Sequence, residues 1–465
     1  MTDTAALSRE LGAIRTIVDR AQVKLRSRDF YWYSPILKRD LKDVTADLIV
    51  LPASEAELIE TLKACFARKV PVTPRGAGTG NYGQAMPVRG GVVLDLSLLD
   101  AIDRIEPGWA RTAAGAKLVD IDGHAQVHSR QEQRMHPSTL RTATIGGFVC
   151  GGSGGVGSIT WGGLRDRGNV LGLRLVTMEK EPRILELRGD DVHKAIHAYG
   201  TTGIVTEVEF ALAPAPGWID VVVGFEDFAT ATRFSHQLAA QDALLKKLVT
   251  PVAAPIPQRY FRPMNDFVPA GRDIVLLMLA PVAVEPFEAF LASWRADVLY
   301  RSDRAAAAVL PPIYEFSWNH TTLQALKVDR QITYHQVLYP PPAHVDHVLR
   351  LYRRLGDDVM HHLEFVRFDG QVACYGLPLI RFTGEERLRE IEATFEAEGC
   401  PTFSPHAYTL EEGGMKKVDP VQLAFKRETD PLGLLNPGKM IAWERPDYDG
   451  SRQLAHLFPA AADKG

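Results

Sequence analysis

The feature that most constrains this chain is where its glycines fall. Of 38 glycines in 465 residues, seven lie in the stretch 146–157 (GGFVCGGSGGVG) and four in the stretch 76–83 (GAGTGNYG). Glycine loses the most backbone entropy on ordering, so such density weakens a packed helix or strand. A folded chain keeps it where backbone must come close to something. Two such loops so near in sequence predict one large ligand held between them.

The surrounding pattern alternates strand and helix. LIVL (48–51) reads as a buried strand, and Ser54-Glu55-Ala56-Glu57 is a capping box opening a helix with Leu58, Ile59, Leu62, Cys65 and Phe66 on one face. Further strands are expected at 70–73, ended by Pro74, and at 91–97, 111–116, 173–176 and 203–212. ALAPAPG (211–217) is small, proline-containing and uncharged, which predicts a linker. Beyond it, strands at 219–224, 273–280, 332–338 and 363–368 alternate with helices at 227–240, 284–294 and 385–398, the rhythm of a second domain. The expected class is α+β, with a mixed sheet rather than a bundle.

Gly78-Thr79-Gly80-Asn81-Tyr82-Gly83 satisfies GxGxxG, and Asp95 follows downstream. A nicotinamide-binding Rossmann loop must open a helix that receives the pyrophosphate. Pro87, Gly90 and Gly91 leave no room for that helix before the next strand, so a Rossmann dehydrogenase is the weaker reading. Successive N–H groups in PRGAGTGNYG (74–83) instead make a nest that holds an anion without a helix. ATIGGFVCGGSGGVGS (143–158) supplies a second set of donors, with the hydroxyls of Ser138, Thr139, Thr144 and Ser158 nearby.

PRGAGTGNYGQ with GGVVLDLSLLDAI (90–102), then HPSTLRTATIGGFVCGGSGGVGSITWGGLRDRGNVLGLRLVT (136–177), YGTTGIVTEVEFAL (199–212) and DPLGLLNPGKMI (430–441), resemble in order the segments of the vanillyl-alcohol oxidase/p-cresol methylhydroxylase (PCMH-type) FAD-binding family. The resemblance implies a two-subdomain FAD-binding domain over 1–213, an α+β substrate cap over 214–415 and a C-terminal segment, 416–465, that returns to the first domain. It implies FAD met by Pro74, Arg75, Gly76, Ala77, Gly78, Thr79, Gly80, Asn81, Gly83 and Gln84. From the second loop come Pro137, Ser138, Thr139, Ala143, Thr144, Gly146, Gly147, Gly151, Gly154, Gly155 and Ser158. Gly203, Ile204 and Val205 would lie along the cofactor, with Asn436 and Lys439 close by. Some relatives attach FAD through a histidine where this chain has Thr79, or a cysteine where it has His136-Pro137, so non-covalent FAD is expected.

The hydroxy-acid dehydrogenase branch carries a metal signature, GDGNxH, that this chain lacks. His344-Val345-Asp346-His347 and His193 with His197 have usable spacing but read as solvated faces, so no metal is expected. Flavin oxidation needs a group for the substrate proton and gains from nearby positive charge. Candidates in the cap are His335, His362, Glu364, Arg367, Arg381 and Tyr408. Alternation on a strand puts His362 and Glu364 on one face. YEFSWNH (314–320), with Tyr314, Trp318, Asn319 and His320, reads as packing.

Lys plus Arg (53) nearly balances Asp plus Glu (57), with no basic cluster for nucleic acid. No apolar run reaches the roughly 18 residues of a membrane span, and Cys65, Cys150, Cys374 and Cys400 form no CxxC. The expectation is a cytoplasmic FAD-dependent oxidoreductase that takes hydride from a small alcohol or hydroxy acid, with oxygen or a redox partner as electron acceptor. A non-catalytic flavin-binding subunit of a larger oxidase is the alternative.

Overall fold

The computed structural model describes residues 4–304, 310–414 and 417–449. The first sheet has the order Arg15–Ile17, Leu48–Leu51, Val92–Asp95, Val72–Arg75, with the last three strands parallel. The helix Glu55–Arg68 crosses between two of them. Its start is stapled as the sequence predicts: Ser54 Oγ accepts from Glu57 N (3.2 Å), and Glu57 Oε2 accepts from Ala53 N (2.7 Å). Leu58, Leu62 and Cys65 then pack on Val72, Val92 and Leu94. Pro74 does not end its strand. It lies within Val72–Arg75, opposite Leu94, and an edge strand tolerates its missing N–H. Between Arg75 and Val92 the backbone forms no helix, so the Rossmann arrangement is absent.

The second sheet is antiparallel, in the order Arg104–Glu106, Trp109–Ala113, Ile204–Pro214, Val170–Val176, Ile184–Arg188. The long strand Ile204–Pro214 also pairs with Gln131–Gln133, placing Leu212, Ala213 and Pro214 opposite Gln133, Glu132 and Gln131. The linker expected at 211–217 is therefore only 215–218. Small residues there fill a ladder instead of a loop, and Leu212 is buried.

After it, Lys246–Val252, Asp273–Leu279, Ile219–Phe225 and Asp297–Arg301 form a third sheet, covered by the helices Phe228–Ala239 and Val284–Leu291. The strand expected at 332–338 is two. Ile332–Tyr334 pairs with Leu379–Arg381, while Gln336–Tyr339 pairs with Gln371–Gly376 and Thr402–Phe403, and buried His335 makes the crossing. Helices at 227–240, 284–294 and 385–398 are found as Phe228–Ala239, Val284–Leu291 and Glu385–Ala397.

The C-terminal part folds back on the start of the chain. Val72 N donates to Leu434 O and Asn436 N to Val72 O, each at 2.8 Å. Lys426, 1% exposed, donates to Thr201 O, Leu435 O and Asp430, and Asp430 accepts from Leu434 N and Leu435 N. This buried pair ties the returning segment to the second sheet's loop at 201.

Candidate functional site

The two glycine-dense stretches face one cleft. The first leaves the edge strand at Arg75 and turns at Gly78 (φ 66°), a value that favours glycine. Among the described residues, the backbone N–H groups of Ala77, Gly78, Thr79, Gly80 and Asn81 meet no protein acceptor. Five consecutive free donors beside the Arg75 guanidinium make a nest for an anion. The far end of the loop is held from behind. Phe30 N donates to Gly80 O (2.7 Å), Lys439 Nζ to Gly83 O (2.7 Å), and Asn436 Nδ2 to Gln84 O (2.9 Å). Burial pushes the Lys439 ammonium down to about 7 and the neighbouring Asp29 carboxyl up to about 6, while their mutual attraction works against both shifts.

The second stretch is not a loop throughout. Residues Ile145–Gly151 form a short helix capped by Thr144, whose Oγ1 accepts from Gly147 N (3.3 Å). Glycine is needed here for approach. A Cβ on Gly146 would lie 2.6 Å from Ala114 Cβ, and one on Gly76 would lie 2.2 Å from Thr144 Oγ1 and 3.6 Å from Gly147 Cα. The two stretches thus touch at 76 and 144–147. At Gly151, by contrast, a Cβ would meet nothing within 4 Å, so this face of the helix opens on the cleft. Ser153 and Gly154 add two more N–H groups without protein acceptors.

Pro74, Arg75, Gly76, Ala77, Gly78, Thr79, Gly80, Asn81, Gln84, Pro137, Ser138, Thr139, Ala143, Thr144, Gly146, Gly147, Gly151, Gly154, Gly203 and Val205 line the cleft. The other expected cofactor residues support it without lining it. Gly155 packs on His136 O, and Ser158 Oγ is taken by Gly155 N (3.0 Å). Ile204 is in the core at 1% exposure, and Gly83, Asn436 and Lys439 brace the first loop from beneath.

The catalytic candidates are corrected more heavily, since none of the six lines the cleft. Arg381 is largely exposed and paired with Asp329 (2.8 Å), and Arg367 is paired with Asp242. His335 is fully buried, 3.3 Å from Leu388 O, and the ring of Tyr408 lies 4.6 Å from Lys439 Nζ, outside the wall. His362 and Glu364 do meet, at 2.9 Å, as alternation predicts, but both are 0–1% exposed behind the wall. The histidines read as solvated are not all so: His344 is buried against His236 (2.9 Å), and His197 is buried. Among the described residues no group of three or more histidine, cysteine or acidic side chains could hold a metal.

Several lining residues carried no local signal. Asp29, Phe30 and Tyr33 arrive from the N-terminal segment, and Trp318, Asn319, His320 and Gln336 come from the other half of the chain. YEFSWNH, read as packing, is packed at Tyr314 and Phe316 and faces the cleft at 318–320. His197 and Tyr199 both enter at positive φ (53°), and Tyr199 N bonds to Cys150 O. Cys150 also lines the cleft, but burial pushes its thiol up to about 12.

The donors, the open helix face and the apolar floor of Leu96, Ala114 and Val205 suit a dinucleotide, with phosphates on the N–H groups and rings on the floor. Residues 46–183 match the family model described as FAD binding domain. The chain is 30% identical over 199 residues to the D-2-hydroxyglutarate–pyruvate transhydrogenase DLD3 of Saccharomyces cerevisiae, covering 40% of this chain and 39% of that one. It is 31% identical over 215 residues to a D-lactate dehydrogenase of Anaerostipes hadrus (42% and 43%), and 28% over 232 residues to the glycolate oxidase subunit GlcD of Escherichia coli K12 (48% and 45%). The chain thus matches less than half the length of these curated relatives. A solved structure of alkyldihydroxyacetonephosphate synthase superposes with TM-score 0.71 at 15% identity, over 94% of this chain and 85% of the other, which shows a shared fold. This is a flavoprotein fold, and the cofactor is FAD. Residues 46–183 match an FAD-binding domain, and the fold is α+β in class. Among the described residues no helix is long and apolar enough to cross a membrane.

Proposed function

We propose that this chain is an FAD-dependent oxidoreductase that oxidises a small 2-hydroxy acid, with FAD held non-covalently in the cleft. The observation that carries the reading is the run of free N–H groups at 77–81 lining the same cleft as the helix face open at Gly151. Residues 4–213 with 417–449 make the cofactor part, and the described residues from 214 to 414 make the cap that brings Trp318, Asn319, His320 and Gln336 to the cleft. Bound there, FAD supplies a two-electron acceptor for the hydrogen on the substrate's hydroxyl-bearing carbon. The protein's share is to hold the pyrophosphate with backbone donors, to keep the ring floor dry and to place polar groups over it. The substrate class is favoured by three relatives named for 2-hydroxyglutarate, lactate and glycolate, all 2-hydroxy acids. Thr79 in the first loop and a Cys150 thiol pushed up to about 12 support non-covalent attachment.

Gly151→Leu tests the cradle. Its side chain enters the cleft without meeting protein within 4 Å at Cβ, so the variant folds with unchanged circular dichroism but binds no FAD. Stoichiometric FAD on that variant would sink the assignment.

A further inference from the structure

We infer that His320 accepts the substrate's hydroxyl proton, oriented by Glu315 and positioned through Trp318 by Glu364 and His362. The inference rests on the function just proposed and concerns the same cleft. His320 lines it and is 7% exposed. Its Nδ1 lies 2.7 Å from Glu315 Oε2, within ion-pair range but not aligned as a hydrogen bond, and its Nε2 has no protein partner among the described residues. A carboxylate on one ring nitrogen places the proton there and leaves the other bare to accept, then stabilises the imidazolium that forms. The other basic lining groups are engaged: Arg75 donates to Arg28 O (2.6 Å) and Ala77 O (3.2 Å), and His197 Nδ1 is 2.7 Å from Gly152 O.

The turn that delivers His320 is strained. Trp318 sits at φ 50°, ψ −140°, a region a bulky residue avoids. Its N–H donates to Glu364 Oε1 at 2.6 Å, Thr250 Oγ1 donates to Glu364 Oε2 at 2.6 Å, and His362 Nε2 is 2.9 Å from Oε1. All four residues are buried. The helix Asn319–Val328 begins directly after, with His320 N bonded to Ser317 O (3.0 Å). So the His362–Glu364 pair acts from behind the wall as a positioning unit for a residue two places beyond its clamp.

In the step, the substrate O–H bond breaks and its proton goes to His320 Nε2. The O–H electron pair becomes the second bond of the new carbonyl. FAD bound in the cleft would supply the two-electron acceptor for the carbon-bound hydrogen and its electron pair.

The test uses FAD-loaded protein labelled with 15N-histidine, the His320 signal being assigned with His320→Asn. Oxalate, an unreactive dianion of hydroxy-acid shape, is the probe. In the wild type the spectrum shows Nδ1 protonated and Nε2 bare at pH 8, and oxalate shifts the Nε2 resonance. Glu364→Gln removes that shift, and so does Glu364→Asp should the glutamine variant fail to fold. Glu315→Gln, changed at a partly exposed position, loses the preference for the Nδ1–H form. Flavin reduction by whichever of glycolate, D-lactate or D-2-hydroxyglutarate bleaches the wild type falls about 10²–10⁴-fold in His320→Asn. A His320 resonance that oxalate leaves unmoved, or reduction within threefold of wild type in His320→Asn, overturns the inference. If none of the three acids bleaches the wild type, the substrate reading fails, and the oxalate titration still decides for or against His320.

Discussion

The contact between the two glycine-bearing stretches can be tested by a double-mutant cycle at 76 and 144. A Cβ added to Gly76 would lie 2.2 Å from Thr144 Oγ1 but an ordinary 3.4 Å from Thr144 Cβ. The clash is therefore with the hydroxyl alone. That hydroxyl caps the helix Ile145–Gly151, so it can move only by giving up its bond to Gly147 N. Thr144→Ala loses the cap and costs about 1 kcal/mol. Gly76→Ala displaces the same cap and adds crowding, for about 1–2 kcal/mol. In the double variant the obstacle is gone and the cap is lost only once, so the cost is about 1 kcal/mol, against the 2–3 of an additive pair. Urea unfolding of the FAD-free protein gives the three free energies. Flavin titrations on the same variants show whether affinity follows, each 1.4 kcal/mol being about tenfold. Costs that add within about 0.5 kcal/mol would refute the contact.

Other consequences follow from single residues. His361 is fully buried with neither ring nitrogen bonded, and burial pushes it down to about 3. The unfolded chain then binds one more proton between that value and about 6.5, so stability falls as pH drops, by about 1.4 kcal/mol per pH unit. His361→Phe, set among Phe228 and Tyr352, should flatten that limb by one proton in urea midpoints at pH 5 and pH 7; an unchanged slope would contradict it. Lys426→Met strands the buried Asp430 carboxylate and should cost about 3–5 kcal/mol, read by thermal unfolding. A loss under 1 kcal/mol would show the returning segment is held otherwise. Burial pushes the Cys65, Cys150 and Cys400 thiols up to about 12, so a disulfide reagent at pH 8 should be slow on the folded protein and fast after denaturation. Acid precipitation should leave all flavin in the supernatant, and colour in the pellet would mean a covalent link.

The glycine spacing located the walls of one cleft, because close local backbone approach is reported by a single residue type. The capping box at Ser54 and the apolar face behind it were legible for the same reason: both ends of each interaction lie within a few residues. Pro74 and 211–214 were misread because composition shows turn chemistry but not whether a neighbouring strand arrives to use it. The helix Ile145–Gly151 hid behind poor propensity that its contact with Ala114 and Gly76 overrides. Alternation correctly put His362 and Glu364 on one face, yet could not tell the inside of the cleft from its back. The candidate anchors Arg367 and Arg381 are answered by Asp242 and Asp329, pairings about 50 to 125 residues distant in sequence. Asp29, Tyr33 and His320 meet the glycine loops only through tertiary folding, which no local pattern records.

The central claim is an FAD site that serves hydroxy-acid oxidation. The most direct measurement is the visible spectrum of the FAD-loaded protein, without oxygen, before and after glycolate, D-lactate and D-2-hydroxyglutarate. The account predicts a flavin band bleached by at least one of them, with the matching 2-oxo acid formed in equal amount. A protein that takes up no FAD would contradict the site, and a flavin that none of the three acids bleaches would contradict the reaction.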